Sequence, residues 1–277
     1  MVNTTDLYWT ADGVSLNTWA WNISTLAGRL SPPPFRGEDR VIPYSPGEEW
    51  VPKIVGSRTL TLTMWIKGST ADGGIPVGGA RDAFDDNWAA LVKLLWTPGR
   101  QFDLGKQFRR GGVQRFAVAK AEFVGGLEPT MIGRNGAKFT VDLKLADPYF
   151  YDSAATTFTL TSLRADYTLP GDARTHNIEW VIDGPRGPLQ LINHTNGQSM
   201  KMLRTTASNE MMKAQVNKWE ALRLVDGGGQ NDISSLMTHL GDPFWFGMNP
   251  GINDIQRIED TPTGGGVITL NAKGAWL

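Results

Sequence analysis

Three histidines and no cysteine are all that this 277-residue chain offers beyond its carboxylates and hydroxyls for acid–base, nucleophilic or metal chemistry. His176, His194 and His239 fall on separate stretches, with neither H-x-x-x-H nor H-E-x-x-H spacing, so each reads as a surface or strand-end residue rather than a ligand. Without cysteine there is no disulfide, no thiolate metal site and no thiol nucleophile. No G-x-S-x-G and no phosphate loop occurs, and the glycine runs lack the strand-to-helix context that lets such loops bind phosphate. Carboxylates come in adjacent pairs, Glu38-Asp39, Glu48-Glu49, Asp85-Asp86 and Glu259-Asp260. Neighbours on extended chain point apart, whereas a hydrolytic pair must converge in space, so none reads as catalytic; Glu38, Asp39, Glu48 and Glu49 read as rim groups of a docking arm, able to pair with Arg36, Arg40 or a partner's cations. No catalytic, cofactor-binding or metal residue is expected, and no enzyme.

The unusual chemistry is aromatic, with eleven tryptophans in the chain. Trp9, Trp19, Trp21, Trp50 and Trp65 surround one long polar excursion, and Trp and Arg are the residues enriched in buried centres of protein interfaces. Trp19, Trp21, Phe35, Arg36, Arg40, Ile42, Tyr44 and Trp50 are accordingly the candidate subunit-interface residues. Trp180, Trp219 and Trp245 are the candidates for contacting a glycan or another protein.

The elements that must carry these side chains begin with L-N-T-W-A-W (Leu16 to Trp21), read as a strand with Trp19 and Trp21 on one face, and T-L-T-L-T-M-W-I-K (Thr59 to Lys67), whose strict alternation predicts a half-buried strand. Between them Pro and Gly recur too often for a helix or central strand. The apolar residues Phe35, Val41, Ile42, Tyr44, Trp50 and Val51 argue against a solvated linker. Residues 29–53 are therefore expected to form a long extended arm, stiffened by Pro32–Pro34 and docked on a neighbouring subunit.

A single amphipathic helix is predicted over about 80–96, where Phe84, Trp88, Leu91, Val92, Leu95 and Trp96 share a face destined for the core. Strands are expected at 101–104, 114–123 and 138–145, the last two joined by a loop containing Pro129 and Gly133, and the basic residues Lys106, Arg109, Arg110 and Arg115 read as a solvated hairpin tip. At Ala146-Asp147-Pro148 the pattern breaks, which predicts an N-terminal β domain over 1–147 and a second domain over 148–277. The latter reads as short strands at 156–163, 176–183, 188–194, around 200–212, 218–225, 244–248, 253–259 and 266–271, the signature of an all-β sandwich. The fold class is mainly β (α+β).

With 40% hydrophobic and 20% charged residues and a formal net charge of −1, the composition is that of an ordinary globular protein. Balanced charge, with a pI near 6.3, lacks the footprint of nucleic-acid binding. No segment has the apolar length of a membrane helix, and the first residues lack a secretion pattern, so the chain is expected to be made and folded in a cytoplasm.

W-A-W, then R-G-E-D-R-V-I-P-Y-S-P-G-E-E-W, an alternating strand, one helix, L-A-D-P-Y-F-Y-D (Leu145 to Asp152) and D-P-F-W-F-G-M-N-P-G-I-N-D-I (Asp242 to Ile255) follow one another in an order that resembles the distal tail proteins of siphophages, most closely those of actinobacterial phages, often labelled minor tail proteins. The resemblance implies a structural virion protein of the tail tip, assembled in the host cytoplasm. Its first domain would form a ring, hexameric in that family, between the tail tube protein and the tail-associated hub protein or baseplate. The second would be a galectin-like β-sandwich facing receptor-binding or other minor tail proteins. The alternative is a carbohydrate-binding module that recognises host cell-wall glycans through that sandwich; a hydrolase of such glycans is a more distant third reading.

Overall fold

The structure is a computed structural model and describes residues 8–28, 31–41, 48–49, 51, 53–96, 99–218, 220–225, 230–240, 246–259 and 265–277. It is mainly β, with one α-helix among the described residues, and divides into two compact units: Met1–Phe150 with Leu277, and Tyr151–Trp276. No helix among the described residues is long and apolar enough to cross a membrane.

The first unit contains β1 (Tyr8–Ala11), β2 (Val14–Ser15), β3 (Trp21–Ala27), β4 (Phe35–Arg36), β5 (Arg40–Val41), β6 (Glu48–Glu49), β7 (Ile54–Val55), β8 (Arg58–Lys67), α1 (Ala80–Leu95), β9 (Phe102–Arg110), β10 (Val113–Gly133) and β11 (Gly136–Leu145). Its main antiparallel sheet runs in the order β2-β1-β9-β10-β11-β8-β3. An isolated bridge between Asn17 and Asn22 then joins the two ends of that path, so the sheet curls round on itself. The alternation of β8 does what its pattern predicts: Leu60, Leu62, Met64 and Ile66 are buried, while Thr59, Thr61, Thr63 and Trp65 take the other face. Burying each such side chain stabilises the fold by about 1.5–3 kcal/mol. Helix α1 buries Ala83, Phe84, Leu91 and Leu95, and Trp88 meets Phe139 of β11 edge-on at 5.2 Å. The helix ends one residue before Trp96, whose ring is exposed instead of joining the core stripe.

Three expectations are corrected here. Leu16 to Trp21 is not a strand: β2 stops at Ser15, and Asn17 and Thr18 turn the chain by bonding locally. The Thr18 amide donates to the Trp21 carbonyl at 2.8 Å, and the Thr18 hydroxyl accepts from the Trp21 amide at 3.2 Å. Such side chains compete with a ladder for the backbone. The loop expected after Phe123 is absent, because β10 continues through Pro129 to Gly133. Register shifts at Phe123/Gly125, Gly126/Pro129 and Pro129/Met131 accommodate it, with Gly126 at φ 96° and Leu127 at φ 67°. Extra residues bend the strand without ending its pairing, and a bulge tolerates the missing N–H of proline. Lys106 does not belong to the solvated tip with Arg109 and Arg110: it is buried, its ammonium donates to the Leu277 carbonyl at 2.6 Å and lies 4.3 Å from the Phe150 ring centroid.

The second unit carries β12 (Phe150–Asp152), which begins on the last residue of the first, then β13 (Thr156–Thr159), β14 (Arg164–Leu169), β15 (Ile178–Asp183), β16 (Leu189–Asn193), β17 (Gln198–Met202), β18 (Glu210–Gln215), β19 (Glu220–Val225), β20 (Gln230–Asp232), β21 (Met237–Leu240), β22 (Gly251–Glu259), β23 (Val267–Ala272) and β24 (Ala275–Trp276). Two antiparallel sheets, β13-β23-β15-β18-β19-β20 and β14-β22-β16-β17-β21, contribute side chains to one hydrophobic core. Trp180, Ile182 and Leu270 enter from one sheet, and Leu191, Met200 and Ile255 from the other. The segment expected as one strand around 200–212 is instead the end of β17 and the start of β18, which belong to different sheets. β14 and β21 are strands that the pattern did not announce. Of the strand expected at 244–248, residues 246–248 hold only an isolated bridge from Met248 to Thr175, and the rest lies outside the described residues.

Candidate functional site

Two features of the first unit gather the predicted interface residues. One is a cleft of about 760 Å³ at the seam of the curled sheet, lined by Tyr8, Trp19, Trp21, Trp65 and, among others, Asn22 and Lys67. Trp19 is 59% exposed yet firmly placed. Its amide donates to the Ala71 carbonyl at 3.2 Å, its carbonyl accepts from the Ser69 hydroxyl at 2.9 Å, and one face of its indole lies on Gly73. A Cβ at Gly73 would stand 3.2 Å from that ring, and its φ of 98° suits only glycine. Trp21 is half-buried, with its indole N–H given to the Ser15 carbonyl at 2.9 Å. Asn17 ties the seam, donating to the Asn22 side-chain oxygen at 3.3 Å while accepting from the Trp9 amide at 3.0 Å. Trp9 itself is core, in edge contact with Phe150 at 5.7 Å.

The other feature is a ribbon in the 31–55 segment. Backbone pairing joins β4 to β7, Phe35 opposite Val55, and then β5 to β6, Arg40 opposite Glu49. The excursion is thus a chain folded back on itself in two short ladders. At its root the Gly56 amide donates to the Pro34 carbonyl at 2.6 Å, and the Arg58 guanidinium donates to the Gly28 carbonyl at 3.0 Å. Burial pushes the Arg58 pKa down from its ordinary value. Halfway along, Asp39 bridges the two limbs, accepting from the Val51 amide at 3.2 Å and the Lys53 ammonium at 3.1 Å. Lys53, which the sequence reading did not name, is thus a cation that Asp39 meets. Those bonds hold its carboxyl below the ordinary 3.8, the Lys53 bond most and the Val51 amide next.

The ribbon presents apolar surface outward: Phe35 is 67% exposed, and Pro32, Pro34 and Arg36 are exposed as well, while Pro33 is buried. Trp19 and Trp21 therefore meet in the cleft, and Phe35, Arg36 and Arg40 on the ribbon; Ile42, Tyr44 and Trp50 lie outside the described residues, as do Trp219 and Trp245. Trp180 is corrected as a contact residue: at 1% exposure it belongs to the core of the second unit, because it alternates with Ile178 and Ile182 on the face of β15 that meets that core, and it presents nothing to a ligand. Sequence reasoning missed Tyr8 and Lys67 as cleft residues, since the turn at 16–20 that brings β1 and β8 to the same place was read as a strand.

Among the described residues no group of three or more His, Cys, Asp or Glu side chains could hold a metal ion. His194 pairs with the Gln256 side-chain oxygen at 2.7 Å, and Glu259 is held by Arg186 at 2.9 Å.

No protein-family model matches the chain, and no curated protein matches it by sequence. Solved structures do match. Two structures of the phage p2 baseplate in its activated conformation, with Sr and with Ca, are similar at 6% identity with TM-scores of 0.46 and 0.45, covering 96% and 97% of this chain and 97% and 98% of theirs. The Dit (gp 19.1) protein of SPP1, described as a paradigm of the hub adsorption apparatus in phages that infect Gram-positive bacteria, is similar at 14% identity with a TM-score of 0.67, covering 96% of this chain and 98% of that one. Over nearly its whole length the chain has the fold of SPP1 Dit.

Proposed function

We propose that this protein is a structural subunit of a siphophage tail tip, a distal tail protein that forms a ring, hexameric by its resemblance, between the tail tube and the hub or baseplate. The likeness to SPP1 Dit carries the reading, because it spans both units and leaves almost no residue of either chain unmatched. In this reading the first unit builds the ring, the ribbon reaches a neighbouring copy, and the second unit is a galectin-like sandwich turned toward other tail proteins. The order of short motifs adds the actinobacterial affinity. A head-to-tail interface that closes into a ring needs a projecting element and a receiving surface on every copy, and the ribbon and the cleft are one of each.

Light scattering and native mass spectrometry on the purified protein test this. The expected result is a closed oligomer at a multiple of 30.4 kDa, six-fold in mass and ring-shaped in electron micrographs. A monomer that persists at micromolar concentration would overturn the reading, since ring contacts of this kind bury more than about 1,000 Å². The glycan-binding alternative has no described residue in its favour now that Trp180 is buried.

A further inference from the structure

We infer that the tryptophan cleft of one copy receives the proline stretch of a second copy's ribbon, Pro32 to Phe35, and this rests on the ring reading above. The two surfaces match in chemistry. Pro32, Pro34 and Phe35 are exposed beside the buried Pro33, so three rings point away from the body of the ribbon. A proline run is already stiff, with fixed φ and about 3.1 Å of rise per residue, so docking costs it little entropy; the Pro34 carbonyl is taken by the Gly56 amide, whereas those of Pro32 and Pro33 accept no hydrogen bond among the described residues. Aromatic-lined grooves recognise such runs by stacking prolines between rings and donating to those carbonyls. The cleft supplies both functions. Tyr8, Trp19, Trp21 and Trp65 are the walls; the Tyr8 hydroxyl, the Trp19 indole N–H and the Asn22 amide nitrogen have no hydrogen-bond acceptor among the described residues. Its volume of about 760 Å³ falls in the range of cavities that enclose a ligand, about 300–1,000 Å³.

Charge points the same way. Lys67 lines the cleft and Glu38 follows Phe35 by three residues, about 10 Å along extended chain, and neither has an ion-pair partner among the described residues. Docking the stretch brings this pair together. Among the described residues, none from the ribbon lines the cleft of its own copy. The occupant is therefore a second copy, which leaves that copy's cleft open for a third and makes the contact propagate head to tail until it closes.

The test uses full-length protein with two variants, one damaging the cleft (Trp19→Ala) and one damaging the donor (P32S/P34S/F35A), each checked for folding by circular dichroism. Each variant alone is expected to be monomeric. Mixed, they should form a dimer and nothing larger, because the sound ribbon of the first fits the sound cleft of the second only once. Should Trp19→Ala fail to fold, charge reversal replaces it: Lys67→Glu alone weakens assembly several-fold, and Lys67→Glu with Glu38→Lys in the same chain restores it. If both variants still form full rings, or if both are monomeric and the mixture stays monomeric, or if the reversed pair restores nothing, the inference is overturned while the ring reading survives. If the unmodified protein is itself monomeric, the ring reading fails and takes the inference with it.

Discussion

Asn253 is completely buried, and its side-chain amide meets four partners. Its oxygen accepts from the Asn193 amide nitrogen at 3.0 Å and the Asn249 backbone at 2.8 Å; its nitrogen donates to the carbonyls of Asn249 at 2.8 Å and Gly251 at 3.1 Å. The N-P-G-I-N segment is thus a turn clamped from inside, and Asn253→Ala should cost about 2–3 kcal/mol in urea denaturation by orphaning those groups. Arg186 and Glu259 form a second, half-buried unit: the guanidinium bonds both carboxylate oxygens, at 3.1 and 2.9 Å, and reaches the Gly266 carbonyl at 3.0 Å. Removing one partner leaves the other's charge without its bonds, so Glu259→Ala should destabilise the fold by about 1.5–3 kcal/mol, read as a lower denaturation midpoint. The sequence showed the N-P-G-x-N spacing but not its reason, because Asn193 arrives from sixty residues away. Trp180 shows the converse: its type suggested a contact surface, while its alternation with Ile178 and Ile182 already marked it as core.

The ribbon depends on Asp39. Its folded pKa is depressed by the Lys53 and Val51 bonds, so its contribution to the ribbon is fully present above the ordinary carboxyl value of 3.8 and is lost as pH falls through the lower folded value. At neutral pH, Asp39→Asn should speed amide exchange at Val51 relative to wild type, and acidification below the carboxyl range should reproduce that effect in the unmodified protein. In β10 the critical position is Gly126, where φ is 96° and an added Cβ would lie 2.3 Å from the Thr140 carbonyl oxygen. Gly126→Ala is expected to cost about 3 kcal/mol, measured by thermal or chemical unfolding. Elements with strict periodicity, β8, β11 and α1, were legible because one face of each is dry. The continuation of β10 was not, since proline and paired glycines normally end a strand and only pairing with β11 keeps this one going. β14 was hidden for another reason: it alternates between exposed and half-buried residues up to Leu169, with little apolar contrast to read.

For the molecule as a whole, the ribbon adds little to the core of its own unit, since its described side chains are mostly exposed. Deleting residues 29–53 should therefore leave both units folded by circular dichroism while light scattering reports a monomer; loss of folding would assign the ribbon to its own subunit's core. The sequence displayed the excursion plainly through its prolines and stray aromatics. It did not display the fold-back, because two-residue ladders such as Arg40–Val41 against Glu48–Glu49 leave no periodic trace.

The seam of the first unit has a mechanical corollary. Ten residue pairs hold β8 to β11, yet among the described residues one backbone bridge, Asn17 to Asn22, and side-chain bonds such as that from Trp21 to Ser15 fasten the two ends of the sheet. A hoop with so narrow a clasp yields at the clasp first. Amides from Ser15 to Asn22 would exchange through brief local breathing far below the cost of global unfolding, giving the curled sheet a compliant lip right where its stickiest aromatic side chains wait.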